Sequence, residues 1–152
     1  MGKEKEFFSK EDLETLRKAI GEAEGKSTGE IVIHLVSKVE KDFTVQGERL
    51  FHKLKLDRTQ ERNGVLILVA PWQRVLRIVA DKGIHEKVPE GFWDSLASGM
   101  GESFQKGDYV GGLERAVRRA GEELSRFFPC HGRNPNELSD QIGWDGEADR
   151  ER

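Results

Sequence analysis

Four polar residues with complementary chemistry stand beside apolar segments of this chain, namely Glu30, Arg62, Asn63 and Asp81. Carboxylates bind hard cations through their oxygens, and a guanidinium donates paired hydrogen bonds to anionic oxygens. An amide carries both a donor and an acceptor. The four side chains therefore make a candidate site for a cation or an anion, provided that the fold brings them together.

The segments beside these residues are predicted to be β-strands. Residues 30–37 are rich in β-branched side chains, and residues 64–70 form an unbroken apolar run. Apolar side chains on both faces are typical of strands that lie buried between two layers. A turn at Pro71 then leads into a return strand over residues 74–80.

Helical patterns surround these strands. Ser9 is followed at the third position by Asp12, which approximates a capping box, and apolar residues then recur at helical spacing. Further helices are predicted over residues 44–56, after Pro89, and over residues 109–128. The order helix, strand, helix, strand, strand, helix, helix predicts an α/β fold, a three-layer α/β/α sandwich in which helices cover both faces of a small mixed sheet.

This topology places the four polar residues at one end of the sheet. A helical crossover makes the first two strands parallel, so both start at that end, and the short turn makes the third strand antiparallel, so it finishes there. Glu30 starts the first strand, Arg62 and Asn63 precede the second, and Asp81 follows the third. A structural alternative stays open, in which Glu30 and Arg62 form a salt bridge and the remaining residues belong to turns.

Composition limits the class of protein. The 152 residues suit one domain, and a net charge of -3 disfavours a general nucleic-acid binder. The single Cys130 excludes an intramolecular disulfide, the charged N-terminus lacks the apolar core of a signal peptide, and the longest apolar run is too short to cross a bilayer. We expect a soluble, cytoplasmic monomer that binds neither nucleic acid nor membrane.

Two motifs resemble functional loops, but the segments around them do not provide the structure that such loops need. Residues 21–27 resemble a phosphate-binding loop but are one residue short, and they follow a helix instead of a strand. Cys130 stands near Arg133, but the loop between them is too short for a cysteine phosphatase, which also needs a helix N-terminus to lower the pKa of its thiol. Neither motif carries a function.

The C-terminal segment differs in composition from the rest of the chain. Pro129 stops the last predicted helix, and the following residues are polar with little periodicity. We therefore divide the chain into an α/β domain over residues 1–129 and a polar tail over residues 130–152, extended or disordered. Leu138, Ile142 and Trp144 are candidate anchors for an unknown protein partner, unless the tail packs back onto the domain.

A series of short motifs is spread along the chain in a fixed order. Each is weak alone, but their number and order resemble the TPM-domain family, which includes thylakoid lumen proteins linked to photosystem repair. The resemblance runs from Phe7 to about Trp144. The main motifs are Ser27-Thr28-Gly29-Glu30-Ile31, Arg62-Asn63-Gly64-Val65-Leu66-Ile67, Asp81-Lys82-Gly83-Ile84, Phe92-Trp93, Gly111-Gly112-Leu113 and Phe128-Pro129.

The resemblance implies an α/β/α sandwich, divalent-metal binding, often of calcium, and acid phosphatase activity. On this basis we expect a domain that binds Ca²⁺ or Mg²⁺ through Glu30 and Asp81, with Asn63 and Gly83 in supporting positions. The alternative is a weak metal-dependent acid phosphatase that hydrolyses phosphomonoesters, with Arg62 as the clamp on a phosphate oxygen. The sequence identifies no nucleophile for that reaction.

Overall fold

The computed structural model describes residues 7–130 and 142–144. Within them lies one four-stranded sheet with the strand order β3-β2-β1-β4. Strand β1 is parallel to both β2 and β4, whereas β3 is antiparallel to β2. The three predicted strands and their directions are therefore confirmed. The strands are β1 (Glu30–Leu35), β2 (Gly64–Ala70), β3 (Val75–Ala80) and β4 (Ile142–Trp144).

Helices form the outer layers of the fold. Among the described residues, every helix is too short or too polar to cross a membrane. The α-helices are α1 (Lys10–Glu24), α2 (Phe43–Lys53), α3 (Lys82–His85), α4 (Phe92–Gln105) and α5 (Tyr109–Phe127), and a single 3₁₀ turn spans Leu56–Arg58.

The sheet separates two apolar cores. Side chains alternate along β1, so Ile31 and Ile33 face one core while Val32 faces the other. The larger core is closed by α1, α4 and α5, and the smaller core by α2, which contributes Phe51. Helices thus cover both faces of a mixed sheet, which confirms the three-layer α/β/α sandwich.

Local chemistry sets where the helices begin and end. The Ser9 hydroxyl accepts the Asp12 backbone N–H at 3.0 Å, and the Asp12 carboxylate accepts the Ser9 N–H at 3.0 Å, which confirms the predicted capping box. The predicted helix over residues 44–56 ends earlier, at Lys53, because Lys55 adopts a left-handed backbone with φ of 62°.

The fourth strand was not predicted. It lies within the segment expected to be an extended or disordered tail, and it pairs Ile142 with Ile33 and Trp144 with Leu35. Both Ile142 and Trp144 are 4% exposed and belong to the larger core. These two residues therefore pack back onto the domain instead of offering anchors to a partner, and Leu138 lies outside the described residues.

Replacing Gly143 by alanine tests how closely β4 packs on β1. A Cβ there would stand 2.7 Å from Nδ1 of His34, a side chain that is only 2% exposed. Because overpacking costs about 1–3 kcal/mol, we expect Gly143→Ala to lower the free energy of unfolding by that order in urea denaturation.

Gly99→Ala is the matched control for this prediction. A Cβ at Gly99 meets nothing within 4 Å, and alanine favours a helix over glycine. We expect the control to be neutral or slightly stabilising. Equal stability of the two variants would contradict the close packing of β4 against His34.

Candidate functional site

The start of β2 is the point at which the polar residues meet. Gly64 pairs with Glu30 in the parallel ladder, and its carbonyl oxygen accepts the Asp81 N–H at 3.1 Å. The Glu30 N–H also reaches the carbonyl oxygen of Asn63, at 3.4 Å. The structure therefore places Glu30, Asn63 and Asp81 at one end of the sheet, where the topology predicted them.

Arg62 and Asp81 form a two-point ion pair at this end. Arg62 Nε lies 2.6 Å from Asp81 Oδ2, and Nη2 lies 2.9 Å from Oδ1. These hydrogen bonds are the main reason that the pKa of Arg62 is raised above its ordinary value. Asp81 Oδ1 also accepts the Lys82 N–H at 2.8 Å and so caps α3. Both carboxylate oxygens of Asp81 are therefore engaged.

Gly83 supports the ion pair through its lack of a side chain. Its N–H donates to the Arg62 carbonyl oxygen at 2.9 Å, which docks α3 onto the loop before β2. A Cβ on Gly83 would collide with the backbone carbonyl oxygens of Glu61 and Arg62. The structure thus gives Gly83 a packing role in this contact.

A hydrogen-bond relay fixes the side chain of Asn63. The Thr28 hydroxyl donates to Glu61 Oε2 at 2.5 Å, and Thr28 Oγ1 accepts from Asn63 Nδ2 at 2.9 Å. Because a carboxylate only accepts hydrogen bonds when ionised, the hydroxyl proton lies towards Glu61 and the amide nitrogen must face Thr28. Asn63 Oδ1 therefore points away from the relay.

The amide oxygen of Asn63 is the unusual atom of the site. Asn63 is 1% exposed, and its Oδ1 has no hydrogen-bond partner among the described residues. Such buried acceptors are rare, and an enclosed water or ion is a common explanation. Glu30, a second source of oxygen ligands, is fully buried in the neighbouring strand. Within residues 7–130 and 142–144, no three His, Cys, Asp or Glu side chains converge as a metal centre.

A second side-chain hydrogen bond borders the loop that carries Arg62. His52 Nδ1, at the end of α2, lies 2.5 Å from Asp57 Oδ2 in the 3₁₀ turn. The pKa of Asp57 is lowered mainly by this hydrogen bond, with a smaller contribution from the positive charge of Arg62. The pair ties α2 to the segment that leads into the site.

Sequence reasoning found some of these residues and missed others. It placed Glu30, Arg62, Asn63 and Asp81 together, because strand ends follow directly from topology. It missed Glu61, whose partner Thr28 is 33 residues away and shares no sequence pattern with it. The ion pair in the structure joins Arg62 to Asp81, which fits the structural alternative in kind but with a different carboxylate.

The chain matches a known family over most of its length, because the family model described as the TPM domain covers residues 3–123. The chain belongs to the TPM-domain family. The predicted resemblance is therefore confirmed. A search among curated proteins finds none that matches this TPM domain.

Three solved structures show a similar fold. The BA42 protein of the psychrophile Bizionia argentinensis is 34% identical, with a TM-score of 0.85, over 91% of this chain and 95% of that one. The N-terminal domain of a P. gingivalis protein is 18% identical, with a TM-score of 0.66, over 83% of each chain. An N-terminal domain from Corynebacterium glutamicum is 13% identical, with a TM-score of 0.57, over 89% of this chain and 79% of that one. The last two similarities show the fold alone.

Replacing Thr28 by valine tests whether the relay holds Asn63. Valine keeps the side-chain volume but removes the hydroxyl, so the buried Asn63 amide loses its acceptor. A buried polar group left unpaired costs about 1–3 kcal/mol. We expect a loss of that order in the free energy of unfolding, measured by urea denaturation.

Thr28→Ser is the matched control, because serine keeps the hydroxyl. It should retain most of the stability that valine removes. If the valine and serine variants unfold at the same urea concentration as the unchanged protein, the relay contributes nothing to holding Asn63.

Proposed function

We propose that this TPM domain binds a divalent cation, Ca²⁺ or Mg²⁺, at the end of the sheet where β1 and β2 start. The observation that carries this proposal is the buried Asn63 Oδ1, a carbonyl oxygen without a hydrogen-bond partner in the described chain. Both cations prefer oxygen ligands of this type. Glu30, fully buried in the adjacent strand, is the carboxylate that accompanies it.

The relay explains why a cation suits this oxygen. Leaving a buried acceptor unpaired costs about 1–3 kcal/mol, so a group enclosed with the oxygen stabilises the fold. The relay directs the amide nitrogen towards Thr28 and leaves the negative end of the amide dipole for the ligand. The Glu30 carboxylate, on the strand that pairs with the start of β2, adds a full negative charge to this end of the sheet when ionised, which favours a cation over a neutral water.

Asp81 has a different part in this proposal from the one that the sequence suggested. Its Oδ1 accepts two hydrogen bonds and its Oδ2 accepts one, all from Arg62 and Lys82. A cation placed on Asp81 would lie close to the Arg62 guanidinium and be repelled by its charge. We therefore assign Asp81 to positioning the loop that carries Arg62 and Asn63, and the ligands to Glu30 and Asn63.

Phosphomonoester hydrolysis is the second candidate function. Its support is that the ion pair with Asp81 uses Arg62 Nε and Nη2, which leaves Nη1 outside the pair on a side chain that is 37% exposed. That nitrogen could donate a hydrogen bond to a phosphate oxygen at this end of the sheet. A bound metal would supply polarisation of the phosphoryl group. This function ranks second because two of the three guanidinium nitrogens of Arg62, Nε and Nη2, already bind Asp81.

Other expectations from the sequence remain predictions. They are a cytoplasmic location, a monomeric state, and the lack of binding to nucleic acid. The net charge of -3 supports the last of these, because nucleic-acid binding depends on a positive surface.

A cation titration of the chelator-treated protein tests the proposal. We expect saturable amide NMR shifts with Ca²⁺ or Mg²⁺, centred on Glu30 and on residues 62–64. Asn63→Ala and Glu30→Gln should each weaken the affinity about tenfold or more, since the first removes an oxygen ligand and the second removes the negative charge of a ligand. Glu48→Gln is the control, because Glu48 is an exposed carboxylate of α2, and it should leave the affinity unchanged.

Two other outcomes would decide against this assignment. Shifts scattered over the acidic surface, with equal effects of Glu30→Gln and Glu48→Gln, would show that the site has no selective affinity. Metal-dependent hydrolysis of p-nitrophenyl phosphate that Arg62→Gln abolishes would favour the phosphatase function instead.

A further inference from the structure

Among the described strands, β3 forms one edge of the sheet. It is the outermost strand next to β2, and all six of its residues are partly exposed. Helix α2 packs over one face of β3 and helix α4 over the other. The outer edge of the strand therefore lies between two helices, and this edge with its two flanking helices is called the slot.

Successive residues of β3 direct their backbone groups alternately towards β2 and away from it, so the bonds to β2 show which groups face this slot. The Asp81 N–H donates to the Gly64 carbonyl oxygen, so Asp81 faces β2. Backbone direction alternates along a strand, so Leu76, Ile78 and Ala80 direct their N–H and C=O groups outwards. Within the described residues, no backbone hydrogen bond to these outward groups is found. A strand edge of this kind is a template for another strand.

Arg77 indicates what kind of strand would fit. Its side chain is partly buried on the α2 side of β3, and its buried Nε has no hydrogen-bond partner among residues 7–130 and 142–144. In the described chain, no carboxylate forms an ion pair with its guanidinium. A Cβ built on Gly47 would stand 3.8 Å from Arg77 Cδ, so the stem of the arginine lies against α2. A partly desolvated guanidinium without a partner is unfavourable, and a carboxylate is its natural partner.

The geometry of an added strand brings such a carboxylate to Arg77. In an antiparallel pair with β3, the outward residues Leu76 and Ile78 would make the hydrogen bonds. The residue opposite Arg77 would then belong to a non-hydrogen-bonded pair, where side chains on the same face approach most closely. An acidic residue at that position would meet the guanidinium directly.

We infer that the outer edge of β3 is a docking site for an extended acidic segment of a partner protein. The segment adds to the sheet as an antiparallel fifth strand, bonded to Leu76, Ile78 and Ala80, and places a glutamate or aspartate opposite Arg77. Backbone hydrogen bonds supply affinity and the ion pair supplies specificity.

A second copy of this chain fits the slot less well. Strand β3 contains no acidic residue. If two β3 strands paired antiparallel with the two Ile78 residues opposite each other, each Arg77 would lie opposite Val79 of the other copy. If they paired about Arg77, the two guanidiniums would repel each other. Both arrangements leave Arg77 without a carboxylate, whereas an acidic segment does not.

The experiment uses the full chain and two blocked hexapeptides of threonine and valine. One carries a glutamate at its fourth position and the other carries a glutamine there. We expect the glutamate peptide to cause saturable amide NMR shifts at Leu76, Ile78 and Ala80, with an affinity about fivefold or more above that of the glutamine peptide. Arg77→Gln should remove this preference while leaving the circular dichroism spectrum unchanged.

Ile78→Pro tests the strand pairing separately. The Ile78 N–H faces outwards, so proline removes a donor from the open edge and none from the ladder with β2. It should abolish binding of both peptides. Should this variant fail to fold, the loss of glutamate preference in Arg77→Gln still decides the proposal.

Three results would overturn the inference. They are shifts that lie away from β3, equal affinity of the two peptides for the unchanged protein, and a glutamate preference that persists in Arg77→Gln. Concentration-dependent dimerisation in sedimentation that Ile78→Pro abolishes would assign the edge to a second copy of the chain.

Discussion

The pairing of Gly64 with two strands at once is the constraint on which the functional end of this domain depends. Gly64 is the ladder partner of Glu30 on one side and accepts the Asp81 N–H on the other. Because every residue of β1 and β2 is buried, a slip of their ladder by one residue would exchange the side chains of the two cores and force both to repack. The same burial that stabilises the sheet therefore sets the positions of the polar residues at its end.

Two of the buried polar atoms that lack a hydrogen-bond partner in the described part of the chain lie at different places in the same sheet. One is the carbonyl oxygen of Asn63 at the start of β2, and the other is the guanidinium Nε of Arg77 on the outer strand. A carbonyl oxygen pairs with a cation or a hydrogen-bond donor, and a guanidinium pairs with an anion. Most buried polar groups of native proteins are paired. Each of these two groups therefore indicates the charge of a ligand that would pair with it. The proposed cation site and the proposed docking edge rest on separate atoms and can fail separately.

The sequence predicts much of the fold because its local signals agree with its final structure. The Ser9 and Asp12 pair marks the start of α1, and the unbroken apolar run over residues 64–70 marks β2. Topology alone then brings Glu30 and Asp81 to one end. Strand β4 was not predicted because a segment of three residues is too short to show a periodic pattern. Its strand conformation arises from pairing with β1.

The chemistry of the site depends on contacts that sequence patterns do not record. Arg62 adopts a left-handed backbone with φ of 52°, and this local conformation accompanies the two-point contact with Asp81. The direction of the Asn63 amide follows from Thr28 and Glu61, which are distant in sequence. Residue types alone could therefore suggest a cation site. The assignment of its ligands depends on hydrogen bonds that are seen only in the structure.

The most direct test of the central claim is an anomalous difference map from crystals of the full chain grown with Ca²⁺. A cation held by the proposed ligands predicts a peak about 2.3–2.6 Å from Asn63 Oδ1, with Glu30 in the same coordination shell. A map that shows no peak at this position, or peaks only on exposed carboxylates, would contradict the account.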